Sequence, residues 1–160
     1  MSGENKRFLF WLPAVLLPIC NIVSATVTHA EFELSHSLPY LLGAVAEELF
    51  YRWFLLKTVL LPCGKPRLAI LAVSILFAGM HLFNLRAGAG LSETLVQMVF
   101  AFCFSVWAGA VTWKSTWLLP LSAHVLLNLT AASENAAVSL ILGAAVLADG
   151  IVLMQAEKTQ

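Results

Sequence analysis

Residues 37–61 read SLPYLLGAVAEELFYRWFLLKTVLL, an apolar run that is long enough to cross a bilayer. Near its middle lie Glu47, Glu48 and Arg52. Each such charge at the centre of a membrane helix costs about 2.5–3.5 kcal/mol, even on lenient insertion scales. Because the chain carries all three charges so close together, we infer that they have a structural or catalytic role.

The composition of the whole chain places it in a membrane. Of its 160 residues, 60% are hydrophobic and 11% are charged, and the mean hydropathy is +0.86. A soluble domain has about 25% charged residues, so lipid must be the solvent for much of this surface. The net charge is zero and no basic patch carries interleaved aromatic residues, which argues against a nucleic-acid partner. The length predicts a single membrane domain, residues 1–160.

Apolar runs of about 20 residues mark candidate transmembrane helices. The sequence predicts an all-α, polytopic transmembrane helix bundle with about six spans. These spans are residues 8–28, 37–61, 68–85, 91–113, 116–132 and 136–154.

The basic residues predict how the bundle is oriented. If the N-terminus is cytoplasmic, Arg86 is the one basic residue of the outer links and Arg52 lies within the membrane. The inner side then collects Lys6, Arg7, Lys57, Lys65, Arg67, Lys114 and Lys158. Because Lys and Arg accumulate in cytoplasmic loops, both termini are predicted to be cytoplasmic. We expect a multi-pass protein of the cell's inner (plasma) membrane.

Helical spacing sorts the polar residues that remain inside the spans. Glu48 and Arg52 are four residues apart, so they share a helix face and can form an ion pair. Glu47 points about 100° away from Glu48 and lacks that partner. His124 and Asn128, in the fifth span, are also four apart and share a face.

A free carboxylate, two histidines and an amide in a membrane cavity fit hydrolysis of an acyl bond. Glu47 would take a proton from a water molecule, and His81, near the end of the third span, would orient that water or share the proton. His124 and Asn128 would donate hydrogen bonds to the oxyanion, where each donor is worth about 10²–10³ in rate. The alternative is a divalent metal such as zinc, held by Glu47, His81 and His124.

Each of these residues also has a purely structural interpretation. A single histidine or asparagine in a membrane span often serves helix–helix hydrogen bonding, and Glu48 with Arg52 can be an architectural pair. We interpret Asn21, Gln97 and Asp149 in this way. The structural interpretation does not easily account for the whole set in one small bundle.

Three motifs carry a family resemblance. They are Glu-Glu-x-x-x-Arg at 47–52, Phe-x-x-x-His at 77–81 and His-x-x-x-Asn at 124–128. In type, order and span placement they resemble the CPBP (ABI) intramembrane proteases, which include CAAX prenyl endopeptidases and bacteriocin-processing or self-immunity proteins. The resemblance covers about residues 41–130 and implies a catalytic core of about 37–132.

The resemblance implies that Glu47 and His81 act on the attacking water and that His124 and Asn128 stabilise the oxyanion. It implies that Glu48 and Arg52 form a supporting ion pair. The family has been described both as metal-dependent and as using a glutamate-activated water without metal; the nearby Arg52 and the sparse ligand set favour the second.

The expected substrate is a membrane-anchored protein, cut near its membrane-embedded or C-terminal sorting segment. The alternatives are a CAAX-type prenyl-protein endopeptidase, a non-enzymatic bacteriocin self-immunity membrane protein, and a proton or ion carrier that uses Glu47 and the histidines as a relay.

Overall fold

The computed structural model describes residues 3–28, 34–130 and 136–156. These residues form six α-helices and contain no strand, so the predicted all-α fold is confirmed. The links at 29–33 and 131–135 and the tail at 157–160 lie outside the described residues. The orientation prediction, which used Lys158 in that tail, therefore stays a prediction.

The helices follow the predicted spans closely. Their bounds are α1 Gly3–Thr28, α2 Leu34–Glu48, α3 Pro66–Met80, α4 Leu91–Lys114, α5 Leu118–Thr130 and α6 Ala136–Gln155. Short sequence signals set several of these ends. Gly64, at φ 77°, adopts the left-handed conformation before α3, and Pro66 opens that helix. Glu93 accepts a hydrogen bond from the Gly90 N–H at 3.2 Å and so caps the start of α4.

Two segments depart from the regular helices that apolar runs predict. The second span is α-helical only as far as Glu48 and continues as a π-helix over Leu49–Leu60. The third span leaves the α-helix after Met80 and ends in a 3₁₀ segment, His81–Leu85. The first change falls inside the Glu-Glu-x-x-x-Arg motif, and the second falls at the histidine of the Phe-x-x-x-His motif. π-Helical insertions are rare and occur often at functional sites.

Helix α4 is the centre of the bundle, packed against α3 on one side and α6 on the other. Its C-terminal half is almost entirely buried, from Ala101 through Thr112. Two glycines allow the close approach. A Cβ on Gly109 would lie 2.9 Å from the Ile70 side chain, and one on Gly150 would lie 2.8 Å from the Trp107 Cα. Small residues at helix contacts are typical of membrane bundles, because they let backbones come together.

The outer surface is apolar, as the composition predicts. Large side chains such as Trp11, Leu68 and Ile141 are about 60–70% exposed, a pattern suited to lipid. Three helical stretches are long and apolar enough to cross a membrane: Pro66–Leu85, Leu91–Lys114 and Ala136–Gln155. Shorter apolar helices cover Phe10–Val23 and Leu118–Thr130. The total of six spans stays a prediction.

The contact between α4 and α6 can be tested at Gly150. We expect Gly150→Ala to lower the free energy of unfolding by about 1–3 kcal/mol, because the new methyl group meets Trp107 backbone atoms that no rotamer change can move. Gly79→Ala is the matched control, since its Cβ would meet no atom of the described residues within 4 Å. Unfolding of the purified protein in detergent measures both. Equal stability of the two variants would contradict this packing.

Candidate functional site

A chain of charged and polar side chains links the end of α2 to α5. The Glu48 and Arg52 side chains are completely buried, and Glu48 Oε2 lies 3.3 Å from Arg52 Nε. The other carboxylate oxygen, Oε1, lies 3.0 Å from His124 Nδ1. Because an ionised carboxylate can only accept, the Nδ1–H of His124 donates to Glu48. Glu48 thus holds a histidine of α5 as well as Arg52.

Glu47 and Glu48 lie in different environments although they are adjacent. The Glu47 side chain is 35% exposed, whereas that of Glu48 is fully buried. Glu47 Oε2 lies 3.9 Å from His124 Nε2, on the side of the imidazole ring opposite Glu48. His124 therefore stands between the two carboxylates. The spacing argument separated Glu47 from Glu48 but could not reveal this shared contact, because it depends on how α2 packs against α5.

Phe77 fixes the positions of both histidines and of Arg52. Its ring centroid lies 5.4 Å from that of His81 and 5.9 Å from that of His124, both edge-on. The Arg52 guanidinium stands over the same ring at 4.5 Å from its centroid, a cation–π contact. Phe104 packs against His124 from α4, with the ring centroids 5.4 Å apart. The apolar residue of the Phe-x-x-x-His motif thus contacts members of all three motifs.

His81 is held through its own helix. Its Nδ1 lies 3.0 Å from the Phe77 carbonyl oxygen. Since a carbonyl can only accept, Nδ1–H donates and Nε2 is left as an acceptor. The 3₁₀ segment that begins at His81 follows directly on α3, so the histidine stands where the helix changes geometry.

Asn128 connects α5 to α2. Its side-chain nitrogen donates to the Tyr40 carbonyl at 3.1 Å, which occupies one of the two amide hydrogens. The sequence placed Asn128 and His124 on one face of α5, and both line the same cavities.

The motif residues meet in a cleft of about 320 Å³ between α2, the end of α3 and α5. Glu47, His81, His124 and Asn128 all line it. Tyr40, Met80 and Phe83 surround it with apolar surface, and each of these three side chains is more than 40% exposed. The structure thus brings the four predicted catalytic residues to one cleft, and Glu48 and Arg52 stay buried behind it.

Several polar residues near the cleft were given only a structural role, or none, by the sequence. Gln97 lines the cleft and accepts a hydrogen bond from the Asn84 side chain at 2.7 Å. Asn21 donates to the Leu127 carbonyl at 3.3 Å and lines a second cavity nearby. The sequence signal for Asn21 and Gln97 was a polar side chain inside a predicted span. Residue spacing within one helix cannot show which cavity such a side chain faces. Asp149 lies elsewhere, buried in α6 where that helix meets Trp107.

The donor set does not form a metal centre. Among residues 3–28, 34–130 and 136–156, no three His, Cys, Asp or Glu side chains converge on a point where they could hold an ion. Of the suggested ligands, Glu47 and His124 come within 3.9 Å of each other, but His81 does not complete a triad with them. We therefore derive no step through a metal.

Comparison with known protein families identifies a match. Residues 34–130 match the family described as Type II CAAX prenyl endopeptidase, Rce1-like. The match runs from the start of α2 to the end of α5 and includes all three motifs. No curated protein and no solved structure matches the chain significantly. Because the matched region is more than half of the chain, the protein belongs to the Rce1-like Type II CAAX prenyl endopeptidases, a family of intramembrane proteases.

Proposed function

We propose that this protein is an intramembrane endopeptidase that hydrolyses a peptide bond near the membrane-embedded or C-terminal sorting segment of a protein substrate. The observation that carries the proposal is the cleft in which Glu47, His81, His124 and Asn128 meet. The proposed catalytic core is residues 37–132, although 131 and 132 lie outside the described residues. The proposed location is the inner (plasma) membrane.

Glu47 is the general base in this mechanism. Its side chain is the more exposed carboxylate of the pair and borders the cleft, so it can take a proton from a water molecule there. The water oxygen bonds to the carbonyl carbon of the substrate. The acceptor Nε2 of His81 orients the second hydrogen of that water. When the C–N bond breaks, Glu47 returns its proton to the leaving amine.

His124 and Asn128 stabilise the oxyanion. The second amide hydrogen of Asn128 is not needed for the Tyr40 carbonyl and can donate into the cleft. His124 donates from Nε2 when both of its ring nitrogens carry protons, and Glu48 then balances the positive charge through Nδ1. Arg52 in turn forms a buried ion pair with Glu48 within the bundle. Glu48 and Arg52 therefore act on the reaction through His124.

A cellular experiment tests the proposed reaction and finds the substrate. A strain that lacks the gene is expected to accumulate an uncleaved membrane-anchored precursor, and the wild-type gene is expected to restore cleavage. His124→Ala should fail to restore it although the protein reaches the membrane in normal amount. The matched control is His36→Ala, which changes a histidine outside the three motifs. Full processing by His124→Ala would overturn the proposal.

The family description names a second candidate substrate class, prenylated CAAX proteins. A farnesylated CAAX peptide and a peptide that ends in a transmembrane sorting tail distinguish the two classes in proteoliposomes. We expect the sorting-tail peptide to be cut and the farnesylated one to be cut poorly. The reverse result would assign the prenyl substrate while leaving the mechanism intact.

A further inference from the structure

A second cavity lies behind the two histidines, on the side away from α2. Its volume is about 120 Å³, and it is lined by residues of α1, α3, α4, α5 and α6 and by His81. The polar part of its lining consists of Asn21, His81, Gln97, His124, Asn128 and Ser139.

The second cavity and the cleft share a wall. His81, Gln97, His124 and Asn128 line both of them. Glu47 lines only the cleft, whereas Asn21 and Ser139 line only the second cavity. A substrate that fills the cleft would therefore leave the second cavity free, in contact with the same two histidines.

The chemistry of the lining suits water. One bound water needs roughly 10–15 Å³ of cavity volume and two to four polar partners, so this space can hold several waters. Amide, imidazole and hydroxyl groups supply those partners. The hydrogen bonds from Asn84 to Gln97 and from Asn21 to the Leu127 carbonyl fix two of the amides in place.

The cavity lies near one end of the bundle. Asn21 is in the last two turns of α1, Ser139 is in the first turn of α6, and His81 directly follows the end of α3. A helix rises 1.5 Å per residue, so each of these side chains is within about 10 Å of the end of its helix. The polar lining of the cavity thus lies toward these helix ends, in the part of the chain that the structure describes.

We propose that the second cavity is a water-binding site that delivers the hydrolytic water to His81 and Glu47 while substrate occupies the cleft. The inference rests on the proposed function. It assigns a role to Asn21 and Ser139, which lie in α1 and α6, outside the matched residues 34–130. These two residues act as positioning residues for water and do not touch the substrate.

Hydroxyl-radical labelling of the protein in lipid nanodiscs tests for water without relying on activity. Phe100 lines the second cavity, whereas Phe50 is 51% exposed on the lipid-facing surface. We expect Phe100 to be oxidised several-fold more than Phe50, because radicals form where water is present. Ser139→Leu fills the cavity and should abolish that excess. Oxidation of Phe100 no greater than that of Phe50 would overturn the proposal.

Kinetics with the accumulated precursor test whether this water is used. Ser139→Leu should lower kcat about tenfold with KM unchanged, because substrate still binds in the cleft. Ser139→Thr keeps the hydroxyl and should retain activity. The matched control is Ser122→Leu, because Ser122 is in α5 and lines a different cavity, together with Phe10. An unchanged kcat in Ser139→Leu, with Phe100 labelling lost, would overturn water delivery and leave the proposed protease function standing.

Discussion

Glu47→Gln is expected to lower kcat by about 10²–10⁴-fold with little change in KM, the range that general-base catalysis contributes. Glutamine keeps the size and hydrogen-bonding shape of the side chain but cannot accept the proton from water. The carboxylate borders the cleft and is 35% exposed, so the substitution leaves no buried charge unpaired. The loss should therefore appear in turnover and not in folding.

The matched control for this variant is Glu93→Gln. Glu93 is an exposed residue that caps α4 through the Gly90 N–H and does not line the cleft. Rates of precursor cleavage in proteoliposomes, with both variants at equal protein content, give the comparison. A kcat for Glu47→Gln within a few-fold of the wild type would exclude Glu47 as the base.

Arg52→Ala is expected to have the largest effect on stability. The Arg52 and Glu48 side chains are both completely buried and lie 3.3 Å apart at Nε and Oε2. Removing one partner of such a pair leaves a buried charge uncompensated, which costs about 3–5 kcal/mol. Loss of the guanidinium also removes its contact with the Phe77 ring, which positions both histidines.

Unfolding in detergent measures this loss, and Arg67→Ala supplies the matched control. Arg67 is exposed in the first turn of α3, so its removal should change the free energy of unfolding by no more than about 0.5 kcal/mol. The double variant Glu48→Gln with Arg52→Met removes both charges and should recover much of the stability. It should remain poorly active, because His124 then lacks its carboxylate partner. A stable Arg52→Ala protein would show that the pair is not needed for the fold.

The sequence predicts the helices of this protein well, because each apolar run must satisfy its backbone hydrogen bonds internally in lipid. The π-helix at Leu49–Leu60 and the 3₁₀ segment at His81–Leu85 were not predicted. An apolar run is compatible with all three helix types, and the one nearby helix breaker, Gly79, precedes the change at His81 by two residues without specifying a 3₁₀ segment. These departures arise from packing between helices. The residues of a single helix do not specify that packing on their own.

The sequence predicted the motif residues that meet in the cleft, but it did not predict the contacts between them or the other polar residues of the lining. Spacing alone pairs Glu48 with Arg52, since residues four apart on a helix meet. The 3.0 Å contact between Glu48 and His124 joins residues 76 positions apart and required the structure. The same is true of Ser139, which the sequence places in the sixth span without indicating that it faces the histidines. The roles of all these residues rest on the experiments above.

The central claim, that Glu47 activates a water that attacks the peptide bond directly, is tested most directly by a single turnover in H₂¹⁸O. The purified protein, in excess over the precursor, cleaves it once, and mass spectrometry then reads the new C-terminal carboxylate and the peptide that contains Glu47. Direct attack by water predicts ¹⁸O in the new carboxylate of the product and none in Glu47. An unlabelled product together with ¹⁸O in Glu47 would mean that the carboxylate attacks as a nucleophile, and it would contradict the mechanism proposed here.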